Sequence, residues 1–277
     1  MKKWLAVPVC LLVLTACGNE SDNSSQTATE ANENERDKEH AMTEDENSSE
    51  DLEKPEENEV EEQDQDSEPL YEINSNSWTV EPIEGTDANE KVVLLTIDDA
   101  PDAYGLEMAQ TLEELDVPAI FFVNGHFIED EEGADELKQI HDMGFAIGNH
   151  TMSHQKLDDV GEEVQQQEIV ELNDRIEDVI GERPRFFRAP HGINTEYSRS
   201  LVEEEGMLNM NWTYGYDWES EYQSEEAIAD IMVHTELLTN GANLLMHDRE
   251  WTAGALEEIV TGLRDKGYDF VDPAQLN

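Results

Sequence analysis

Three features of the sequence predict an α/β fold: a distorted (β/α) barrel of about seven parallel strands, preceded by a disordered acidic tether. Short apolar runs alternate with helix-period segments over the last roughly 200 residues. Turn residues punctuate almost every junction between them. No Gly-rich phosphate loop follows the first strand, which favours a barrel, irregular or incomplete, over a doubly wound sheet.

The chain opens with the basic start Met1-Lys2-Lys3-Trp4 and continues from Leu5 to Ala16 as a short apolar core. That core is too short to span a bilayer comfortably and is built like a secretory signal. It ends in Leu14-Thr15-Ala16-Cys17-Gly18, which resembles a bacterial lipobox. Residues 1–16 therefore read as a lipoprotein signal peptide and Cys17 as the lipidated residue. The location implied is the outer face of the cell membrane, by a lipid anchor. Cys10 lies within the removed segment, so Cys17 has no partner and no disulfide framework is expected.

Residues 17–75 read as a linker, and residues 76–277 as the folded domain. From Gly18 to about Leu70 the chain is rich in Glu, Asp, Asn, Ser and Gln, and its basic residues are Arg36, Lys38 and Lys54. Such a segment cannot bury enough apolar surface to offset chain entropy, and its charges extend it. The formal net charge of -52 excludes a nucleic-acid partner, which calls for a basic footprint. It also points to surroundings of high salt or alkaline pH, where self-repulsion is tolerable.

Within the domain the first strand falls at 92–97, a run without a charged face. A helix at 105–115 carries Leu106, Ala109, Leu112 and Leu115 on one side, with Pro118 beyond it. A strand at 119–124 leads to a helix at 134–143 that stops at Gly144, and the next strand is 145–149. The helix at 163–180 aligns Ile169, Leu172, Ile176 and Val179, then meets Gly181 and Pro184. Strand 186–190, helix 196–205, strand 208–214 and helix 227–238 follow, the last presenting Ile228, Ile231, Met232 and Thr235. Strand 243–247 precedes a last helix, which Thr252 is expected to cap and which turns Leu256, Ile259, Val260 and Leu263 inward. Strand 269–271 ends the series.

Chemistry-bearing residues gather at strand ends. The first strand finishes in Asp98-Asp99-Ala100-Pro101. Adjacent carboxylates there are either turn chemistry or a metal or acid–base site. His150 and His154, four residues apart, would meet on one side of a helical turn. Alone, that spacing also suits two surface histidines. With Asp99 it offers one carboxylate and two imidazoles, leaving a tetrahedral metal one open position. Arg188-Ala189-Pro190-His191-Gly192, Asp217-Trp218 and Leu244-Leu245-Met246-His247-Asp248 close later strands. Singly, Arg188 could pair a surface carboxylate and His247 could be a core histidine. In a parallel barrel all of these segments share the C-terminal rim, where active sites are built.

Together they resemble the five motifs of the polysaccharide deacetylases, the NodB-homology or carbohydrate esterase family 4 group, from about Val92 to Val271. The resemblance implies a distorted (β/α) barrel, zinc or another divalent metal such as cobalt, and removal of acetyl groups from N-acetylglucosamine polymers or O-acetyl groups from xylan. It implies Asp98 as general base, Asp99, His150 and His154 as metal ligands, and Arg188 as the residue orienting the base. It further implies an oxyanion contact from the backbone N–H of His191, Leu245 and Trp218 beside the substrate, and His247 as general acid. Asp217 is left to act on His247 or on Arg188.

Three positions depart from the family pattern. Ala100 stands where Gly is usual, which lowers the need for a left-handed residue there. His191 stands where Tyr is common, and Tyr214-Gly215-Tyr216-Asp217-Trp218 keeps one aspartate of two. His126, His141 and His234 are set aside as surface or partly packed residues, while Trp251 and Tyr222 are candidates for the face of a sugar ring. The expected function is N-deacetylation of a cell-envelope polysaccharide, most naturally peptidoglycan, by a tethered monomer. The alternatives are an O-acetyl esterase acting on xylan or an exopolysaccharide, and a non-catalytic metal- or glycan-binding lipoprotein.

Overall fold

The computed structural model describes residues 68–277. In chain order these form β1 (Tyr71–Ile73), β2 (Val80–Pro82), β3 (Val92–Ala100), α1 (Gly105–Glu114), β4 (Ile120–Val123), α2 (Glu131–Asp142) and β5 (Ala146–Asn149). There follow α3 (Glu162–Gln166), α4 (Leu172–Ile180), β6 (Phe186–Phe187), α5 (Glu196–Glu204) and β7 (Leu208–Asn209). The chain ends with α6 (Glu225–His234), β8 (Ala242–His247), α7 (Glu250–Asp265) and β9 (Asp269–Phe270). The segments expected to be a signal peptide, a lipidated Cys17 and a linker, up to residue 67, lie outside the described residues. Among the described residues no helix is long and apolar enough to cross a membrane.

β3 is the spine because it is the longest strand and is buried along almost its whole length. The parallel sheet runs β7-β6-β5-β4-β3-β8, with β9 pairing the start of β3. Residues 210–214 then cross from one end of this order to the other. Met210 N–H donates to Phe187 O at 3.0 Å, while Thr213 N–H reaches Asn243 O and Leu245 N–H reaches Tyr214 O, both at 2.8 Å. The sheet is thereby curled into a half-barrel, a distorted form of the (β/α) barrel.

Strand alternation sorts β3 into two faces. Val93, Leu95 and Ile97 join the apolar cluster under the helices, which includes Leu112, Ile140, Ile228 and Leu256. Val92 and Leu94 point the other way, into a second cluster with Ile120, Phe122, Phe186 and Met210. Thr96 and Asp98 continue that inner parity, so Asp98 is aimed into the barrel by register alone.

Three expectations need correction. Residue 76 does not begin the folded part: β1 pairs with β2, and Tyr71 is buried against Val80 and Leu276. Strands of three residues carry too little pattern to be read, and this pair exists through its tertiary partners. Thr252 is not a cap. Arg249 is the N-cap of α7, and Thr252 is buried inside the first turn, where its hydroxyl donates to Asp217 Oδ2 at 2.9 Å. The helix read over 163–180 is interrupted between α3 and α4 by a π turn at Gln167–Glu171.

Candidate active site

Asp98, at the C-terminal end of β3, is 2% exposed and is held by a guanidinium that is fully buried. Arg188 Nη1 donates to Asp98 Oδ1 at 2.6 Å and to the Thr96 hydroxyl at 2.8 Å, while Nη2 donates to Asn211 O at 3.0 Å. The guanidinium also lies 4.3 Å over the ring of Phe122. Burial pulls the Arg188 pKa down and the charge of Asp98 opposes it. Removing two charges from water is tolerable here because the partners are charged and further hydrogen-bonded.

Asp99 should face the helices if β3 stayed regular. It does not, because its φ is 61°. A left-handed residue breaks the alternation, at a cost of about 1–2 kcal/mol, and turns the second carboxylate to the same side as the first. The register between β3 and β4 shifts at this point, between Ile97 and Ala100. Ala100 does not adopt a left-handed conformation, as its replacement of the usual Gly suggested; the left-handed residue is Asp99, one position earlier.

His150 and His154 are not on a helix. The segment joining them is a loop in which Thr151 has φ 71° and His154 φ 58°. Asn149 Oδ1 accepts the Thr151 N–H at 2.8 Å, and Asn124 Nδ2 donates to His150 O at 2.5 Å, fixing the loop from two strand ends. The imidazole centres stand 5.0 Å apart.

One oxygen of Asp99 and one nitrogen from each histidine lie within 4.8 Å of one another. Asp99 Oδ1 is 3.5 Å from His154 Nε2 and 3.9 Å from His150 Nε2. His150 Nδ1 faces Arg188 O at 2.7 Å, which puts the proton on Nδ1 and leaves Nε2 as the free donor. Burial, then the neighbouring His150, push the His154 pKa down to about 4 against the pull of Asp99, so its ring is neutral near pH 7. Two imidazole nitrogens beside a carboxylate fit a divalent ion.

Across the site, His247 ends β8. Its Nδ1 faces Asp217 Oδ1 at 2.7 Å and its backbone N–H donates to Asp217 Oδ2 at 2.6 Å. Burial alone would lower the pKa of this imidazole; the hydrogen bond and charge of Asp217, then Asp98 and Asp99, raise it above the ordinary histidine value. Asp217 thus acts on His247, one of the two roles open to it from sequence.

These groups surround a cavity of about 520 Å³ whose wall includes Trp212, Trp218, Trp251, Leu245, His191 and Arg249. Trp218 is 44% exposed, leaving an aromatic surface at the mouth. The ring of His191, a residue with φ 57°, stands 5.0 Å from that of His154.

A family model described as polysaccharide deacetylase matches residues 85–210. A peptidoglycan-N-acetylglucosamine deacetylase of Bacillus cereus is 32% identical over 214 residues, spanning 73% of this chain and 75% of that one. The chain belongs to the polysaccharide deacetylase family. A peptidoglycan-N-acetylmuramic acid deacetylase of Bacillus subtilis is 29% identical, over 65% of this chain and 69% of its own. Among solved structures, a family 4 carbohydrate esterase from Streptomyces lividans aligns with TM-score 0.59 at 26% identity, covering 67% of this chain and 93% of that one. A family 4 pseudoenzyme from Bacillus anthracis aligns with TM-score 0.61 at 25% identity, covering 68% of this chain and 65% of that one.

In this polysaccharide deacetylase domain, Asp98, Asp99, His150, His154, His191, Asp217, Trp218, Leu245 and His247 all line one cavity, with Arg188 directly behind Asp98. Trp251 lines it too, whereas Tyr222 packs against Tyr216 with ring centres 5.4 Å apart and is not part of the wall. His126, His141 and His234 stay outside it.

Sequence reasoning missed three participants. Arg249 donates to Asp99 Oδ2 at 2.9 Å, occupying the carboxylate oxygen turned away from the histidines. Asp248 accepts backbone N–H groups of Asp102, Tyr104 and Gly105 at 2.6 to 2.7 Å, seating the start of α1 beside the site. Trp212 adds an aromatic wall. The one signal for Asp248 and Arg249 was adjacency to His247.

Proposed function

We propose that this chain is a metal-dependent N-deacetylase of cell-wall glycan, with peptidoglycan N-acetylglucosamine as its substrate, held to the membrane through lipid on Cys17. The observation that carries the reading is the position of Asp98. It lies 3.5 Å from His150 Nε2 yet stands outside the Asp99, His150 and His154 donor set, tied instead to Arg188. A protein that only binds metal has no use for a further buried carboxylate at that distance.

Asp99, His150 and His154 would hold the ion, zinc or another divalent metal such as cobalt. When bound, it supplies Lewis acidity toward a carbonyl oxygen and acidifies water. Asp98, fixed by Arg188, takes the proton from the attacking water. His247, on the other side of the cavity, donates a proton to the departing amine, and its raised pKa keeps that proton available near neutrality. Asp217 holds the ring with Nδ1 protonated, so Nε2 is the atom that serves the leaving group. Leu245 offers an apolar seat for the acetyl methyl, and Trp212, Trp218 and Trp251 offer faces to pyranose rings. The curated relatives named for peptidoglycan deacetylation support the choice of polymer. The membrane attachment rests on the Leu14-Thr15-Ala16-Cys17 sequence.

Acetate release by the purified protein with zinc tests the reading, using N-acetylglucosamine oligomers, peptidoglycan and acetylated xylan in parallel. Release from the amide substrates, lost in Asp98→Asn, is expected. Release from xylan alone would make the protein an esterase, and no release with one equivalent of zinc bound would overturn the catalytic reading.

A further inference from the structure

A π turn at Gln167–Glu171 joins α3 to α4. A π turn breaks the regular i→i−4 ladder of a helix and frees carbonyls to accept from elsewhere. Here Glu168 O and Ile169 O, the latter also taking the Leu172 N–H, accept from the segment that carries both candidate histidine ligands. Glu168 O takes the Met152 N–H at 2.9 Å, and Ile169 O takes Asn149 Nδ2 at 2.8 Å.

The Glu168 side chain goes to the same place. It is buried, 5% exposed, and forms no ion pair among the described residues. Its Oε2 accepts the Ser153 N–H at 2.8 Å, and its Oε1 accepts the Ser153 hydroxyl at 2.5 Å and Gln155 Nε2 at 3.0 Å. A buried carboxylate without a counter-charge is retained only where such donors converge on it. The residues on either side of this clamp show why it is there. Thr151 and His154 are both left-handed, a conformation that non-glycine residues keep only when their surroundings impose it.

We propose that Glu168 is a positioning residue for the metal centre. Its carboxylate and its backbone carbonyl hold residues 152–155 so that His154 Nε2 meets Asp99 and His150. The proposal rests on the metal-dependent reading above, and it goes beyond the ligand set by naming what holds one ligand in place.

The test uses zinc alone with the full chain. Affinity is measured by chelator competition, and the visible spectrum of the cobalt-loaded protein reports ligand geometry independently of turnover. Glu168→Ala is expected to bind zinc about 10–100-fold more weakly, as is typical for loss of a group that orients a ligand, with a changed cobalt spectrum. Glu168→Gln, which keeps an acceptor for Ser153 N–H and can donate to the Ser153 hydroxyl, is expected to recover most of the affinity. A Glu168→Ala protein with parental zinc affinity and cobalt spectrum, whatever its melting temperature, overturns the proposal alone. If Glu168→Ala does not fold, Ser153→Ala decides: weakened zinc binding supports the clamp, and unchanged binding overturns it. Failure of the parent to bind zinc overturns the underlying metal reading as well.

Discussion

Asp217 engages His247 twice, accepting its backbone N–H at 2.6 Å and facing its ring Nδ1 at 2.7 Å. One carboxylate thus sets both where the imidazole sits and how firmly it holds its proton. Asp217→Asn keeps the shape and removes the charge. As the proposed general acid, His247 would work only while protonated, so activity is expected to fall as pH rises through its pKa. With Asp217 that pKa is raised, and without it the alkaline limb of the rate profile moves to lower pH. The same shift reports on stability. A raised histidine contributes stabilisation that is full below its unfolded pKa and is lost as pH rises through its folded pKa. Asp217→Asn should reduce that loss, and a pH–rate profile identical to the parent's would remove Asp217 from its assigned role.

Asp98→Asn separates proton transfer from metal binding. Asp99, His150 and His154 keep their donors, so zinc stoichiometry should stay at one while turnover drops by roughly 10²–10⁴-fold. Zinc content and acetate release on the same sample check this. Loss of zinc together with activity would make Asp98 a ligand instead.

Arg188→Leu tests the buried ion pair. Asp98 would be left 2% exposed with its main counter-charge gone. Breaking such a pair costs about 3–5 kcal/mol, read as a lower urea midpoint for the metal-free protein. A loss under ~1 kcal/mol would mean that water or another residue readily replaces the guanidinium.

Salt should stabilise this protein more than most. A formal charge of -52 makes self-repulsion a standing cost, which added ions screen within about 3 Å at 1 M ionic strength. The melting temperature is expected to climb steadily between low salt and molar sodium chloride. A flat curve would place the charge too far from the folded unit to matter.

The strands and most of the helices were legible because burial leaves a period in the sequence: 92–97, 119–124 and 243–247 are apolar runs that became β3, β4 and β8. The site was legible at the rim because Asp, His and Arg are out of place in such runs. What escaped detection depends on partners distant in sequence. His150 and His154 have helical spacing, yet Asn124 and Asn149 pull them into a loop. Thr252 has the composition of a cap, yet Asp217, remote in the chain, claims its hydroxyl. The π turn has no sequence mark at all, and Arg249 belongs to no motif: its contact with Asp99 exists only in the fold.

That turn at Asp99 also bears on how such a domain can change over generations. A left-handed site admits aspartate, asparagine and glycine more readily than other residues. Exchange of Asp99 for asparagine or glycine would delete a proposed ligand while leaving the backbone at ease. The backbone therefore sets little penalty against losing the carboxylate at this position, and the sheet that carries it does not depend on that side chain.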